Sequence, residues 1–354
     1  MVVRVSDVEK WRVIGHEWAV RGLAHSLAVN RVAHAYLLTD PHAIGKTTLA
    51  RTFAQVLECT GDHPPCGACP ACQKIMRNHH PDVRIVEGVP PRYDFEKDAP
   101  PPPRANDRER RTLRIRQIRD LEHDLSRAPF EGRWKIVILR RFEEAEDPAA
   151  NAFLKTLEEP PAHAKLILTA RDTSLLLPTI ASRCQVLGLR PLPVSQVQAA
   201  LIERWQVEPE TARLLAHLSG GRLGWAVRAS ADRTLLDSRN ARLEVLSGVL
   251  AEGRAERLSR AGDLAKDSEK DKLPELLEEW LGWWRDVLLV QNGDGTRITN
   301  VDRSEALRRH ASAFTPVQVE NALEQIRLTA QYLNQNVNAR LAIEVLLLGL
   351  PLAA

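Results

Sequence analysis

The chain has 354 residues, 44% apolar and 27% charged, which suits a soluble globular protein of two or three domains rather than a disordered or fibrous one. Lys and Arg number 49 against 46 Asp and Glu, and the net charge of +3 does not by itself imply a nucleic-acid-binding protein. The longest apolar stretches fall short of the ~18–20 residues that span a bilayer, and Met1-Val2-Val3-Arg4-Val5-Ser6-Asp7 lacks a signal-peptide core, so a cytoplasmic protein with no membrane partner is expected.

Residues 9–32 read as helix, with apolar positions Trp11, Val13, Ile14, Ala19, Leu23, Leu27 and Val29. Ala35-Tyr36-Leu37-Leu38 reads as a short strand. Asp40 to Thr48 follows as a loop and helix start, and the helix runs on through Leu49 to Val56. Four Cys fall within 59–72, and Val83 to Val86 is a second strand. Residues 88–111 change character: prolines alternate with charges, which predicts an exposed, poorly ordered insertion. Ile115 to Leu125 predicts an amphipathic helix, Ile136 to Leu139 a buried strand, 149–158 a helix, and Lys165 to Ala170 a strand. Alternating strands and helices predict a parallel α/β sheet. Pro191-Leu192-Pro193 marks a break. Helical patterns fill 194–230, with Gly220-Gly221 as a hinge, and a further helical block runs from about 240 to 350.

Asp40-Pro41-His42-Ala43-Ile44-Gly45-Lys46-Thr47-Thr48 is nearly the phosphate loop G-x-x-x-x-G-K-[ST], in the strand–loop–helix setting that loop requires. Lys46 would reach the β- and γ-phosphates, Thr47 would ligate Mg²⁺, and the helix start at Gly45 to Thr48 would favour an anion. Asp40, however, stands at the first Gly position, where a carboxylate and a Cβ oppose close approach of phosphate. Two readings stand: a loop that still binds nucleotide, and a relic kept for its shape. Beyond Leu139, where a P-loop ATPase carries acids that hold Mg²⁺ and activate water, the chain has Arg140 and Arg141. Guanidiniums repel Mg²⁺. Glu143 and Glu144 lie further past the strand end than that role calls for.

Cys59, Cys66, Cys69 and Cys72 place four thiols within 14 residues. This density suits a tetrahedral, closed and therefore structural zinc site, with an iron–sulfur cluster or free thiols as alternatives. Trp280, Trp283 and Trp284 cluster on one helix and fit either a subunit interface or an internal core.

Taken together these segments resemble the bacterial DNA polymerase III clamp-loader family of AAA+ proteins, most closely its delta-prime branch, the non-hydrolysing relative of the gamma/tau ATPase. The resemblance rests on Val13-Ile14-Gly15-His16, His34 to Leu38, the four Cys, His80-Pro81-Asp82-Val83, Ile115 to Arg119 and Pro129 to Lys135. It continues in Asn151 to Pro161, Leu177 to Gln185 and Asn336 to Glu344. The first gap of the Cys set is six residues where relatives often have a longer one, and Ala43 stands where close relatives have glycine. Gly224 occupies the position of a sensor arginine, with Arg222 offset by two. The resemblance implies an AAA+ α/β P-loop domain over 1–190, with a zinc module at 59–72 and a Pro-rich insert at 88–111. It implies an all-α lid over 191–238 and an all-α collar over 239–354.

The resemblance also assigns roles. Arg183, flanked by Ser182 and Cys184, would act in trans as an arginine finger in a neighbouring subunit's ATP site, an effect worth ~10³–10⁵ in rate. Zinc would be structural, and ATP with Mg²⁺ weakly bound or absent. Partners would be the gamma/tau ATPases and the delta subunit, with the sliding clamp and primed DNA reached through the complex. The chain would be a stator in DNA replication, not catalytic by itself. The alternatives are an active ATPase of gamma/tau type, a zinc-dependent DNA-binding or repair scaffold, and a recombination-linked or phage-type loader subunit. The run from Arg104 to Arg116 is the most basic; it could touch phosphates, although such a run is more often the solvated edge of an insert.

Overall fold

The computed structural model describes residues 11–101, 111–266, 272–335 and 337–352. It divides into two compact units. The first runs to Leu192 and also takes Arg222–Gly224; the second takes Pro193–Gly221 and the chain from Trp225 onward.

The first unit is a parallel five-stranded sheet: β1 (Ala35–Thr39), β2 (Val83–Val86), β3 (Lys135–Leu139), β4 (Ala164–Thr169) and β5 (Gln185–Gly188), in the order β2-β3-β4-β1-β5. Helix α1 (Glu17–Ala28) precedes β1, and α2 (Lys46–Glu58), α3 (Pro70–Met76), α4 (Ile115–Leu125), α5 (Asp147–Glu158) and α6 (Pro178–Ala181) connect the strands. Successive strand residues point to opposite faces, so a sheet covered on both sides needs unbroken apolar runs. Tyr36, Leu38, Ile136, Ile138 and Ile167 join α1 and α2 in one core. Leu37, Val137, Leu139, Leu166 and Leu168 join α4 and α5 in the other.

The first helix is shorter than the apolar pattern over 9–32 suggests. Gly15 and His16 take left-handed backbone, φ 67° and 60°, so α1 starts only at Glu17. Trp11 is still core: its ring stacks on Phe53 at 6.1 Å.

The insertion at 88–111 also departs from expectation, because its described part is anchored. Val89 and Thr112 exchange backbone hydrogen bonds of 2.9 and 2.8 Å, and Val89 is buried. Arg111 is buried and pairs with Glu87 at 3.1 Å. The Arg114 guanidinium donates to Tyr93 O at 2.9 Å and to Pro90 O at 3.3 Å. These arginines bind their own chain instead of facing outward as a phosphate-binding edge. Arg104, Arg108 and Arg110 lie outside the described residues.

Two buried carboxylates fix the loop that leads into β3. Asp82 accepts from the backbone N–H groups of Phe130, Glu131 and Gly132 at 2.7, 2.8 and 2.8 Å, and pairs with Lys135 at 3.2 Å. Glu58 accepts from the N–H groups of Arg133 and Trp134 at 2.8 and 2.9 Å. A Cβ at Gly132 would lie 2.6 Å from Glu58 Oε2 and would push that carboxylate aside.

The second unit contains α7 (Val194–Trp205), α8 (Pro209–Leu218), most of α9 (Leu223–Ala231), α10 (Thr234–Ala251), α11 (Arg254–Leu264), α12 (Leu273–Gln291), α13 (Ser304–Ala313), α14 (Pro316–Asn334) and α15 (Ala339–Gly349). It holds no strand among the described residues. Trp280, Trp283 and Trp284 of α12 are buried inside it. Trp280 Nε1 donates to Arg242 O and Trp283 Nε1 to His310 Nδ1, each at 3.1 Å, while Trp284 packs on Phe314 at 5.2 Å. The tryptophan cluster is thus internal packing, not an exposed interface.

Burial opposes ionisation of Asp82, but the three N–H donors and Lys135 prevail and hold its carboxyl down at about 2, below the ordinary 3.8. A depressed carboxyl stabilises the fold above pH 3.8, and that contribution is lost as pH falls towards 2. Asp82→Asn is therefore expected to cost about 2 kcal/mol at pH 7. In urea melts the gap between wild type and variant should close as pH is lowered from 4 to 2. A gap independent of pH would reject this account.

Candidate functional site

The carboxyl ends of β1, β3 and β4 form the edge at which an α/β fold presents its chemistry. The phosphate loop leaves β1 there. Asp40, Ala43 and Gly45 all have positive φ, 102°, 61° and 116°. The backbone therefore keeps a glycine-type path at two positions that are not glycine, and Asp40 lies well beyond the ordinary left-handed region. The imidazole of buried His16 donates from Nε2 to Ile44 O at 3.1 Å and pins the loop.

Lys46 opens α2, with Thr47 and Thr48 on the same first turn. Its ammonium donates to Pro41 O at 2.8 Å and to Asp40 O. The loop's own carbonyls thus occupy the cation that would meet phosphate. Burial pushes the Lys46 ammonium down to about 8, with Arg141 and Arg171 acting the same way, while Glu143 and Asp40 pull it up. Burial raises the Asp40 carboxyl, and Lys46 counters it.

Arg140 and Arg141 stand at the end of β3, as their sequence position requires, and both are tied to acids. Arg140 pairs with Glu87 at 2.9 Å; Arg141 pairs with Glu144 at 2.7 Å and donates to His42 Nε2 at 3.3 Å. Arg141 itself is left-handed (φ 54°), and its N–H donates to Thr169 Oγ1 at 2.9 Å. Phe142–Glu144 follows as a 3₁₀ turn that covers the Glu143 side chain, whose charge raises Lys46 more than any other. The two downstream acids are therefore close to the loop, but as counter-ions of guanidinium and ammonium groups.

Gly224 falls in the first unit, and its N–H donates to Ala43 O at 2.7 Å. A Cβ at Gly224 would lie 2.7 Å from that same oxygen. The backbone has taken the space where a side chain would begin, so no sensor-like side chain fits at this position.

Arg183 lies just past α6, apart from the loop, and is partly exposed. It donates to Thr179 O at 2.8 Å and to Glu158 Oε1 at 2.6 Å. Ser182 Oγ donates to Thr179 O at 3.1 Å. Cys184 packs against the α5-side core, and burial pushes its thiol up to about 12, which makes it a packing group and not a nucleophile.

The four sulfurs of Cys59, Cys66, Cys69 and Cys72 all lie within 4.8 Å of one another, those of Cys59 and Cys69 3.9 Å apart. Zn–S bonds of ~2.3 Å in a tetrahedron put sulfurs about 3.8 Å apart, so the set fits one metal ion and is too tight to enclose a multi-iron cluster. Backbone N–H groups of Cys66, Cys69 and Cys72 point at sulfur at 3.4, 3.2 and 3.5 Å. Burial opposes ionisation of Cys69, but N–H groups of Cys72 and Thr60 hold it at about 6. The site could bind zinc.

The family profile described as DNA polymerase III, delta subunit, matches residues 15–193, and that of its C-terminal part matches 235–351. The DNA polymerase III subunit delta' of Bacillus subtilis is 29% identical, with 93% of this chain and 94% of that one aligned. The subunit delta' of Pseudomonas aeruginosa is 33% identical over 73% of each chain. The chain belongs to the DNA polymerase III delta-prime family. The subunit tau of Escherichia coli is 32% identical over 60% of this chain, which spans only 32% of tau. A solved gamma subunit-related protein of Thermotoga maritima matches at 19% identity and a TM-score of 0.39, covering 92% of this chain and 97% of that one.

In this delta-prime family member Gly45, Lys46, Thr47 and Thr48 share one loop and helix start, the four Cys come together, and Arg183 stands apart from both. The sequence does not announce His16, Glu158 and Gly224 as partners, because each contact joins residues far apart in the chain. Asp40→Gly should relieve the backbone at φ 102° and raise stability by about 1 kcal/mol in thermal melts. A lower melting point would mean that the carboxylate's own contacts outweigh the strain.

Proposed function

We propose that this chain is a non-hydrolysing, trans-acting subunit of the replicative clamp loader. The observation that carries the reading is Lys46, whose ammonium is bound by the carbonyls of Asp40 and Pro41 while Arg140 and Arg141 stand where a metal-holding acid would be. ATP with Mg²⁺ is then bound weakly or not at all by this chain. Arg183 serves the ATP site of a neighbouring gamma/tau-type ATPase, where its planar fork stabilises charge on the γ-phosphate. Further partners are the delta subunit and, through the assembled complex, the sliding clamp and primed DNA. On this reading residues 191–238 are a lid and 239–354 a collar. Leu341, Val345 and Leu348 support the collar role: they lie exposed along one side of α15, an apolar stripe that a solitary protein seldom leaves in water.

A gamma/tau-type motor is the second reading, favoured by intact Lys46 and Thr47 and by the similarity to tau. The test is ATP hydrolysis by a reconstituted loader with clamp and primed DNA. Arg183→Ala should lower it by ~10²-fold or more at the affected site, and the isolated chain should hydrolyse nothing. Robust hydrolysis by the chain alone, abolished by Lys46→Ala, would make it a motor. The DNA-binding scaffold reading is weakened by Arg111 and Arg114, which are engaged within the chain.

The four Cys would hold a structural zinc that ties the turn after α2 to α3 and supplies no open coordination position. Purified protein should carry one zinc per chain, and Cys66→Ser with Cys69→Ser should abolish it and lower the melting temperature. A metal-free chain of unchanged stability would refute the assignment.

A further inference from the structure

We infer that Glu158 is a latch for Arg183, a positioning residue that restrains the guanidinium until a more negative ligand is offered. The inference rests on the reading of Arg183 as a trans-acting finger. Arg183 Nη2 lies 2.6 Å from Glu158 Oε1, and Nη1 donates to Thr179 O at 2.8 Å. The guanidinium is thus held from two sides, by the carboxylate at the end of α5 and by a carbonyl of α6. Both side chains are partly open to water, Arg183 at 33% and Glu158 at 51%. A pair this exposed is weak, shifting an equilibrium by only about two- to fivefold.

That weakness suits a latch. A buried pair would not release the finger, whereas this one competes with triphosphate only until the neighbour's ATP is in reach. Arg binds phosphate bidentately through its fork, of which Glu158 now takes Nη2 and Thr179 O takes Nη1, so a bidentate phosphate contact requires release of Glu158. A finger free for only part of the time activates only in proportion to that fraction. Thr179 O remains as a neutral acceptor that steadies the side chain without holding its charge.

Two measurements test the latch. In the chain alone, modification of Arg183 by phenylglyoxal is followed by peptide mass spectrometry. Glu158→Ala should speed it about two- to fivefold, and Glu158→Gln, which keeps an acceptor but no charge, should fall between. An unchanged rate overturns the latch. In the reconstituted loader, Glu158→Ala should raise kcat for ATP hydrolysis by a similar factor at unchanged KM, and the double variant with Arg183→Ala should match Arg183→Ala alone. A gain that persists without Arg183, a loss of activity, or faster modification with no change in hydrolysis overturns it. If Arg183→Ala leaves hydrolysis intact, the finger reading itself fails, and the latch as a restraint on catalysis fails with it; the modification rates then report only a surface ion pair.

Discussion

A half-buried ammonium must find oxygen partners, and that requirement shapes the whole edge of the α/β unit. In a working phosphate loop, phosphate meets the need of the lysine. Here the loop turns carbonyls of Asp40 and Pro41 towards Lys46, and Glu143 sets its negative charge nearby. The loop can therefore hold its path with no anion present. Its unusual backbone at Asp40 and Ala43 is tolerated because His16 grips Ile44 O and the Gly224 N–H grips Ala43 O. Remove the internal partners and the same path would carry an uncompensated, half-buried charge, among the costlier defects a fold can hold.

The charges around the loop follow the same logic. Acids are not lacking: Glu87, Glu143 and Glu144 stand near the end of β3. Each faces a cation fixed by the chain, Arg140, Arg171 and Arg141 respectively. A divalent ion arriving here would have to displace guanidiniums from carboxylates and then remain beside them. Substituting arginine for acid at 140 and 141 thus does more than delete a ligand. It makes Glu87 and Glu144 counter-ions of guanidiniums, which opposes a divalent ion here.

Much of this frame was legible in the chain. Runs such as Ile136 to Leu139 have to be buried on both faces, and their spacing with intervening helical patterns leaves few options besides a parallel sheet. The cysteine spacing and the Arg183 segment are equally local signals. What escaped was long-range. Nothing near Val89 or Arg111 announces a partner, and proline-rich composition argues for a loose insertion until Thr112 and Glu87 are found beside them. Three tryptophans on one helix read equally well as interface or core until the surrounding helices are placed. Left-handed residues at Gly15 and His16 shortened a helix whose apolar spacing ran on through them.

Strength of interaction then separates the firmly held parts of this unit from the loosely held one. Asp82 and Glu58 bind five consecutive backbone N–H groups from Phe130 to Trp134 in buried surroundings, and Lys74 joins Glu131 at 2.6 Å to tie the same loop to α3. Those contacts are charge-assisted, and the Asp82 and Glu58 carboxylates are buried, so the loop into β3 is firmly held. Arg183 sits on the same unit yet is held by one exposed carboxylate and one carbonyl. On the proposed trans-acting role, this guanidinium has to be placed accurately but released easily. A weak tether on an otherwise firmly held unit meets both demands of that proposal, which a fully buried arginine could not.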